Sequence, residues 1–298
     1  MAGPSSEIPI ILNPRARSTR AGKSVVLLRA LSPRAKILET TAAGEARSLA
    51  ATLAREGHPR IVVAGGDGTV NEVVNGLADA GLERGTALGI LPSGTMNVFA
   101  RELGVYEQKL PAIWSAIENS EPKPVDLWRA DGHHFVQVAG VGLDANIIEH
   151  TSWDMKIRFG PLSYVIAGMR ELKRFQDTVI VEADGQAPLE ASVVLVGNGK
   201  RYGGPFKLFP NALLDDKLLD VIILEKHCFT SIARLVQGFA LSRSYDGLKG
   251  IRYFQTTTMT VRSANGTAVP VEVDGDLSNA TPVSFRLAPH PLPVLAPS

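Results

Sequence analysis

Over the first 105 residues, short apolar runs alternate with stretches of helical spacing. Residues 8–12, 36–40, 61–64 and 88–91 read as strands. From Gly44, the residues Ala46, Leu49, Ala50, Leu53 and Ala54 recur at the spacing of one helix face, which closes at Gly57 and Pro59. A second helix after 61–64 carries Val70, Val73, Val74 and Leu77 on one side. Fully apolar strands between amphipathic helices predict a parallel sheet covered on both faces.

Past Pro122 and Pro124 the texture changes to strands with turn signals. A hairpin is expected from 125–130, the turn Asp131-Gly132 and 134–139. Further strands are expected at 178–183, 191–196, 218–224, 251–262, 269–273 and 282–287, interrupted by helices near 162–175 and 230–243. The chain therefore divides into an α/β domain at 1–124 and a β-rich domain at 125–298, with the last residues free to return to the first domain.

Composition narrows the classes. With 45% hydrophobic residues among 298 and a net charge of +1, the chain is neither disordered nor built to bind nucleic acid. A single cysteine, Cys228, excludes an internal disulfide and fits a reducing compartment. No apolar run reaches the roughly 18 residues of a membrane span, and the N-terminus lacks the basic and apolar regions of a secretory signal. The expected location is cytoplasmic, with peripheral attachment at the inner membrane face left open.

The most informative stretch is GGDGTVNEVVNGL, residues 65–77, which joins a buried strand to a helix. Gly65, Gly66 and Gly68 let the backbone approach a ligand, and the first N–H groups of the helix offer partial positive charge to phosphate. Asp67 would repel bare phosphate, so its place there suggests a screening Mg or a proton taken from an attacking hydroxyl. LPSGTMNVFARELG, residues 91–104, supplies a second polar turn with Ser93, Gly94, Thr95 and Asn97. In an open α/β sheet both turns lie on the edge where ligands bind.

These two turns, together with Ile11-Leu12-Asn13-Pro14, NALLDDKLLDV at 211–221 and Val273-Asp274-Gly275-Asp276, resemble the diacylglycerol kinase catalytic-domain family, which includes bacterial diacylglycerol kinases and sphingosine kinases. The motifs occur in the family's order along nearly the whole chain. The resemblance implies an α/β nucleotide-binding domain like that of NAD kinases, a C-terminal β-sandwich, and an active site between them where ATP phosphorylates a lipid hydroxyl. It implies that Asn13 and Thr40 contact the nucleotide, that Gly66, Gly68, Thr69, Ser93, Gly94 and Thr95 surround its phosphates, and that Asp67 is catalytic. The acidic pair Asp274 and Asp276 would complete the site, Asp276 standing where relatives usually carry glutamate. A magnesium site is implied at the Asp216 carboxylate with the carbonyls of Leu213 and Leu218. The residues alone also allow a solvated turn there. Val98 stands where many relatives carry aspartate, and Arg15-Ala16-Arg17-Ser18 replaces a small-residue step.

Other motifs point less far. Gly22-Lys23-Ser24 lacks the upstream glycine of a phosphate-binding Walker loop. Gly140-Val141-Gly142-Leu143-Asp144-Ala145 matches a dinucleotide turn but lacks the later acidic residue, so a tight turn between strands is expected. The six histidines show no zinc-ligand spacing. Leu162, Val165, Ile166, Met169 and Leu172 with Arg170 and Arg174 read either as a packed helix or as a basic apolar entrance for lipid. The expected function is an ATP- and Mg-dependent lipid kinase acting on diacylglycerol at a membrane surface, and a homodimer is allowed. The alternatives are a sphingoid-type lipid kinase, a soluble-acceptor kinase of the NAD kinase type, and a nucleotide-binding regulatory module.

Overall fold

Strands β1 (Ile8–Leu12), β2 (Ala35–Glu39), β3 (Arg60–Gly65) and β4 (Ala87–Pro92) run parallel in one sheet, and every residue of β1 is buried. Such continuous burial requires cover on both faces. Helices α1 (Glu45–Arg55), α2 (Asp67–Ala80), α3 (Val98–Glu102) and α4 (Leu110–Asn119) provide it with buried stripes, among them Ala46, Ala50 and Leu53 on α1 and Val70, Val73, Val74 and Leu77 on α2. Glu45 ties down the start of α1 by accepting the N–H groups of Thr41 at 2.6 Å and Ala42 at 3.2 Å. This computed structural model describes residues 7–14, 32–142, 178–225, 245 and 247–297. The expected helices near 162–175 and 230–243, including the basic apolar face of the first, lie outside the described residues.

The chain forms two units, Met1–Leu127 with Ala288–Ser298, and Trp128–Leu287. In the first unit the sheet order is β2-β1-β3-β4-β20-β5, where β5 is Lys123–Val125 and β20 is Leu292–Leu295. The last strand was not legible in the apolar pattern because Pro291 and Pro293 argue against a central strand. It is tolerated because pairing with β4 begins at Val294, past the second proline.

The second unit holds two six-stranded antiparallel sheets and a two-stranded one of β12 (Arg201–Tyr202) and β13 (Phe206–Lys207). One contains β6 (Trp128–Ala130), β7 (His133–Phe135), β9 (Val179–Ala183), β10 (Leu189–Ala191), β16 (Thr258–Ser263) and β19 (Val283–Leu287). The other contains β8 (Val138–Gly142), β11 (Val193–Gly197), β14 (Leu219–Leu224), β15 (Ile251–Thr256), β17 (Pro270–Val273) and β18 (Asp276–Ala280). Val181, Val261 and Phe285 from one sheet share a core with Val194, Val221 and Val271 from the other, which makes the unit a sandwich. The alternate residues Val193, Leu195, Ile222 and Leu224 pack on a separate cluster with Leu208, Phe209 and Tyr245. Their sheet is buried on both faces, which is why β14 reads as an apolar run.

Three local expectations change. The hairpin expected over 125–139 is four short strands, with only β6 and β7 joined by the Asp131-Gly132 turn. Val125 pairs in the first unit's sheet, and the chain switches sheets again at Val136 and Gln137. The strand expected at 251–262 divides into β15 and β16, which belong to different sheets. Gly140, Val141 and Gly142 form no tight turn: they sit inside β8, paired on both sides at Gly140 and Val141.

Candidate active site

Parallel register aligns the carboxyl ends of four strands. Leu12 lies beside Glu39 and Ala64, and Ala64 beside Leu91, so the residues that follow each strand share one edge. Thr40, Asn13, Gly65–Thr69 and Ser93–Asn97 are brought together there. The Thr40 N–H and hydroxyl both donate to the Leu12 carbonyl, at 2.8 and 3.3 Å. The Asn13 N–H donates to the Ala64 carbonyl and its side-chain amide to the Thr69 hydroxyl, each at 3.0 Å.

The two polar turns are stitched to each other. The Ser93 N–H donates to the Gly65 carbonyl at 3.0 Å. A β-carbon at Gly65 would lie 2.5 Å from the Thr69 β-carbon, so only glycine lets α2 begin so close to the strand. Asn97 adopts φ 49 and spends its side chain on Gly94, accepting that residue's N–H at 2.8 Å and donating to its carbonyl at 2.7 Å. Asn97 thus shapes the loop. Thr95 and Gly68 are the exposed tips of the two turns, while Ser93 is buried.

Asp67 closes the arrangement. Its carboxylate accepts the N–H groups of Asn97 at 2.8 Å and Val98 at 2.6 Å, where α3 starts. Burial pushes this carboxyl above its ordinary range, while the N–H groups of Val98 and Asn97 hold the charged form back toward it. A partly buried carboxylate with an upward shift, set between two donor-rich turns, has the properties of a proton acceptor for a hydroxyl. Val98 contributes its backbone N–H to this contact.

The remaining expected residues belong to the second unit. Asp274 and Gly275, at φ 49 and 94, form the two-residue turn between β17 and β18. The Asp274 carboxylate accepts the N–H groups of Val136 at 3.0 Å, Gln137 at 3.0 Å and Val138 at 2.9 Å, so it is directed at the chain's own backbone. Asp276 opens β18 and is exposed. Asp216 accepts the Leu218 N–H at 3.0 Å, and Leu213 is 50% exposed.

One group went unrecognised in the sequence. Asp220 is fully buried within β14, where it accepts the Tyr253 hydroxyl and, at 3.3 Å, the Gln255 amide. Burial raises its carboxyl above the ordinary range, Tyr253 and Gln255 oppose that rise, and the nearby Asp216 charge adds to it. Burial and Asp220 together push the Tyr253 hydroxyl strongly upward, so it stays a donor. The signal was a lone carboxylate interrupting the apolar run LDVIIL.

An α/β unit with two stitched glycine turns, joined to a β-sandwich, defines a class of nucleotide-using kinases. The diacylglycerol kinase catalytic domain matches residues 7–130, and the YegS C-terminal NAD kinase beta sandwich-like domain matches residues 137–296. The chain is 32% identical over 248 residues to the diacylglycerol kinase of Bacillus subtilis (strain 168), covering 83% of this chain and 80% of that one. It is 30% identical over 277 residues to a probable lipid kinase YegS-like of Chromohalobacter salexigens, covering 92% and 84%. A crystal structure of a putative diacylglycerol kinase from Bacillus anthracis str. Sterne superposes with a TM-score of 0.78 at 28% identity, covering 98% of this chain and 97% of that one. The chain belongs to the diacylglycerol kinase catalytic-domain family and is a kinase of the lipid-kinase class. Membership implies ATP as the phosphoryl donor and a lipid as the acceptor. Among the described residues no helix is long and apolar enough to cross a membrane.

Proposed function

We propose that the chain transfers the γ-phosphoryl group of ATP to the free hydroxyl of diacylglycerol, giving phosphatidic acid and ADP. The observation that carries this reading is the partly buried Asp67 carboxylate at the junction of the two glycine turns. In the transfer the acceptor O–H bond breaks, its proton passes to Asp67, a new P–O bond forms, and ADP leaves with the electrons of the old one. Gly66, Gly68, Thr69, Ser93, Gly94 and Thr95 supply the phosphate cradle, with Asn13 and Thr40 toward the nucleotide. Positioning and charge neutralisation provide most of the rate enhancement in such transfers. Asp276 is the second acidic group we assign to catalysis. Asp274 supports it by holding the preceding turn.

We further assign a Mg ion to Asp216 with the carbonyls of Leu213 and Leu218. The donor set is all oxygen, as Mg requires, and the charge of Asp216 beside Asp220 is offset only by Lys200 among the named charges. Bound Mg neutralises negative charge. The protein's own part is the Asp216 turn, fixed by the Leu218 N–H.

Labelled ATP incubated with diacylglycerol, sphingoid bases and soluble acceptors in mixed micelles tests the acceptor. Product on diacylglycerol is expected. Product confined to a sphingoid base or to a soluble acceptor, or nucleotide binding with no product at all, overturns the assignment. Mg should raise the melting temperature of the parent and leave Asp216→Ala unmoved; equal responses would remove the metal from that turn.

A further inference from the structure

The peptide unit between Met96 and Asn97 is held at both ends by side chains of opposite charge. Its N–H, which belongs to Asn97, donates to the Asp67 carboxylate at 2.8 Å, and its carbonyl, which belongs to Met96, accepts the Arg101 Nε–H at 2.7 Å. That carbonyl lies outside the helical ladder, because the first acceptor of α3 is the Asn97 carbonyl, which takes the Arg101 N–H at 3.0 Å. The Arg101 side chain therefore reaches back past the start of its own helix to an oxygen that the helix does not use.

The guanidinium is fixed in this position. Its Cζ stands 3.5 Å from the centre of the Tyr106 ring, its Nη1 lies 3.6 Å from the Glu107 carboxylate, and only 17% of the side chain is exposed. The end of α3 delivers Tyr106, whose N–H donates to the Ala100 carbonyl at 3.1 Å. A planar cation stacked on a ring and tied to a carbonyl keeps its charge in place. Glu107 is 55% exposed, so water screens its pull on Arg101. On the other side, the groups that bear on the Asp67 carboxyl are its burial and the N–H groups of Val98, Asn97, Phe99 and Asp67 itself, with no charged side chain among the described residues acting on it directly. Arg101 reaches it through one peptide unit.

We propose that Arg101 is a positioning residue for Asp67: by holding the Met96 carbonyl it orients and polarises the Asn97 N–H that grips the carboxylate. An amide whose oxygen is bound by a cation carries more positive charge on its hydrogen, and hydrogen bonds in a chain strengthen one another by about 10 to 30%. The same hold steadies the start of α3, where the Val98 N–H completes the pair on Asp67 at 2.6 Å. Arg101 thus favours the ionised carboxylate without touching it. The purpose of this linkage rests on the proposed role of Asp67 as base, while its bonds are there whatever the acceptor.

The test reads the carboxyl itself and does not depend on turnover. In the full chain with isotope-labelled aspartate, the Asp67 carboxyl signal, identified by its absence in Asp67→Asn, is followed by NMR as pH is lowered. R101M keeps the apolar stem and removes donor and charge, so the midpoint should rise by about half a pH unit, because a carboxylate with weaker N–H partners loses preference for its charged form. R101K keeps a cation and a donor and should recover part of the rise. Tyr106→Leu removes the ring beneath the guanidinium and should raise the midpoint by less, which gives the answer where R101M is too unstable to titrate. The acid limb of turnover should move with the carboxyl, whereas a merely structural role would lower the rate at every pH and leave the midpoint in place. An unmoved midpoint in R101M, or no recovery with lysine, would overturn the proposal. If the midpoint moves but Asp67→Asn phosphorylates diacylglycerol at the parental rate, the base assignment fails and the Arg101 linkage stands.

Discussion

Gly94 and Gly66 meet backbone to backbone: a β-carbon at Gly94 would stand 2.5 Å from the Gly66 α-carbon. Because the obstructing atom is main chain, no side-chain rotation relieves the clash, and the two phosphate turns would have to part. Gly94→Ala is expected to destabilise the fold by about 1 to 3 kcal/mol, the usual range for overpacking, and to weaken ATP binding. The reverse substitution is gentler, since a β-carbon at Gly66 would lie 3.2 Å from the Gly94 α-carbon. Denaturant midpoints and nucleotide titrations on both variants check this order. Equal effects would mean that the turns are not in contact.

Asp67→Asn keeps the shape of the side chain and removes its capacity to take a proton. Turnover should fall by about 100-fold or more, the usual share of general-base catalysis. The parent's acid limb should lie above the ordinary carboxylate range, because burial raises the Asp67 carboxyl and the base must be ionised to act. Stability follows the same shift. A carboxyl whose folded pKa is raised contributes stability that is fully present below the unfolded pKa and is lost as pH rises through the folded one. Asp67→Asn should therefore flatten the fall in stability as pH rises past the ordinary carboxylate range, and the Asp220 carboxyl, also raised, leaves a residual slope. A parent rate profile with an ordinary acid limb would remove Asp67 as the base.

Much of the first unit could be read from the chain because its strands are buried on both faces and its helices carry single apolar stripes. Those patterns are local, as are the glycine turns that end β3 and β4. What escaped were features that depend on distant partners. The return of Leu292–Leu295 into the first sheet is hidden by its prolines. The sheet switch at Val136 and Gln137 depends on Asp274 and Asn198, more than 60 residues away; Asn198 donates to the Val136 carbonyl at 2.8 Å and accepts the Trp128 indole N–H at 3.0 Å. Asp67, Asn97 and Asp274 were legible as polar residues in meaningful turns. That the side chains of Asp67 and Asp274 bind the backbone of another segment, and that Asn97 turns its own on Gly94, was not.

Asp274→Ala would leave three backbone N–H groups, those of Val136, Gln137 and Val138, without their acceptor. An unsatisfied buried donor costs about 1 to 3 kcal/mol, so the loss should be about 3 kcal/mol or more. Asp274→Asn keeps Oδ1 for Gln137 and Val138 and gives up the Val136 contact, so it should cost about a third as much. Urea unfolding of both variants measures the difference. An alanine variant as stable as the parent would show that this carboxylate serves a ligand instead of the fold.

Ser93 poses the opposite trade. Its hydroxyl is buried at the end of β4 and has no hydrogen-bond partner among the described residues, although its N–H is satisfied by Gly65. An orphaned buried hydroxyl is a stability liability, so Ser93→Ala should leave the melting temperature unchanged or raise stability by up to about 1 kcal/mol. A polar group kept at such a disadvantage beside two phosphate turns is explained by a ligand that completes it. A hydrogen bond to a charged group is worth about 1.5 to 3 kcal/mol, so the same substitution should weaken ATP binding by roughly tenfold or more. Calorimetric titration of parent and variant decides the matter. Reduced stability with undiminished ATP affinity would place the hydroxyl in the fold's own packing and remove it from the cradle.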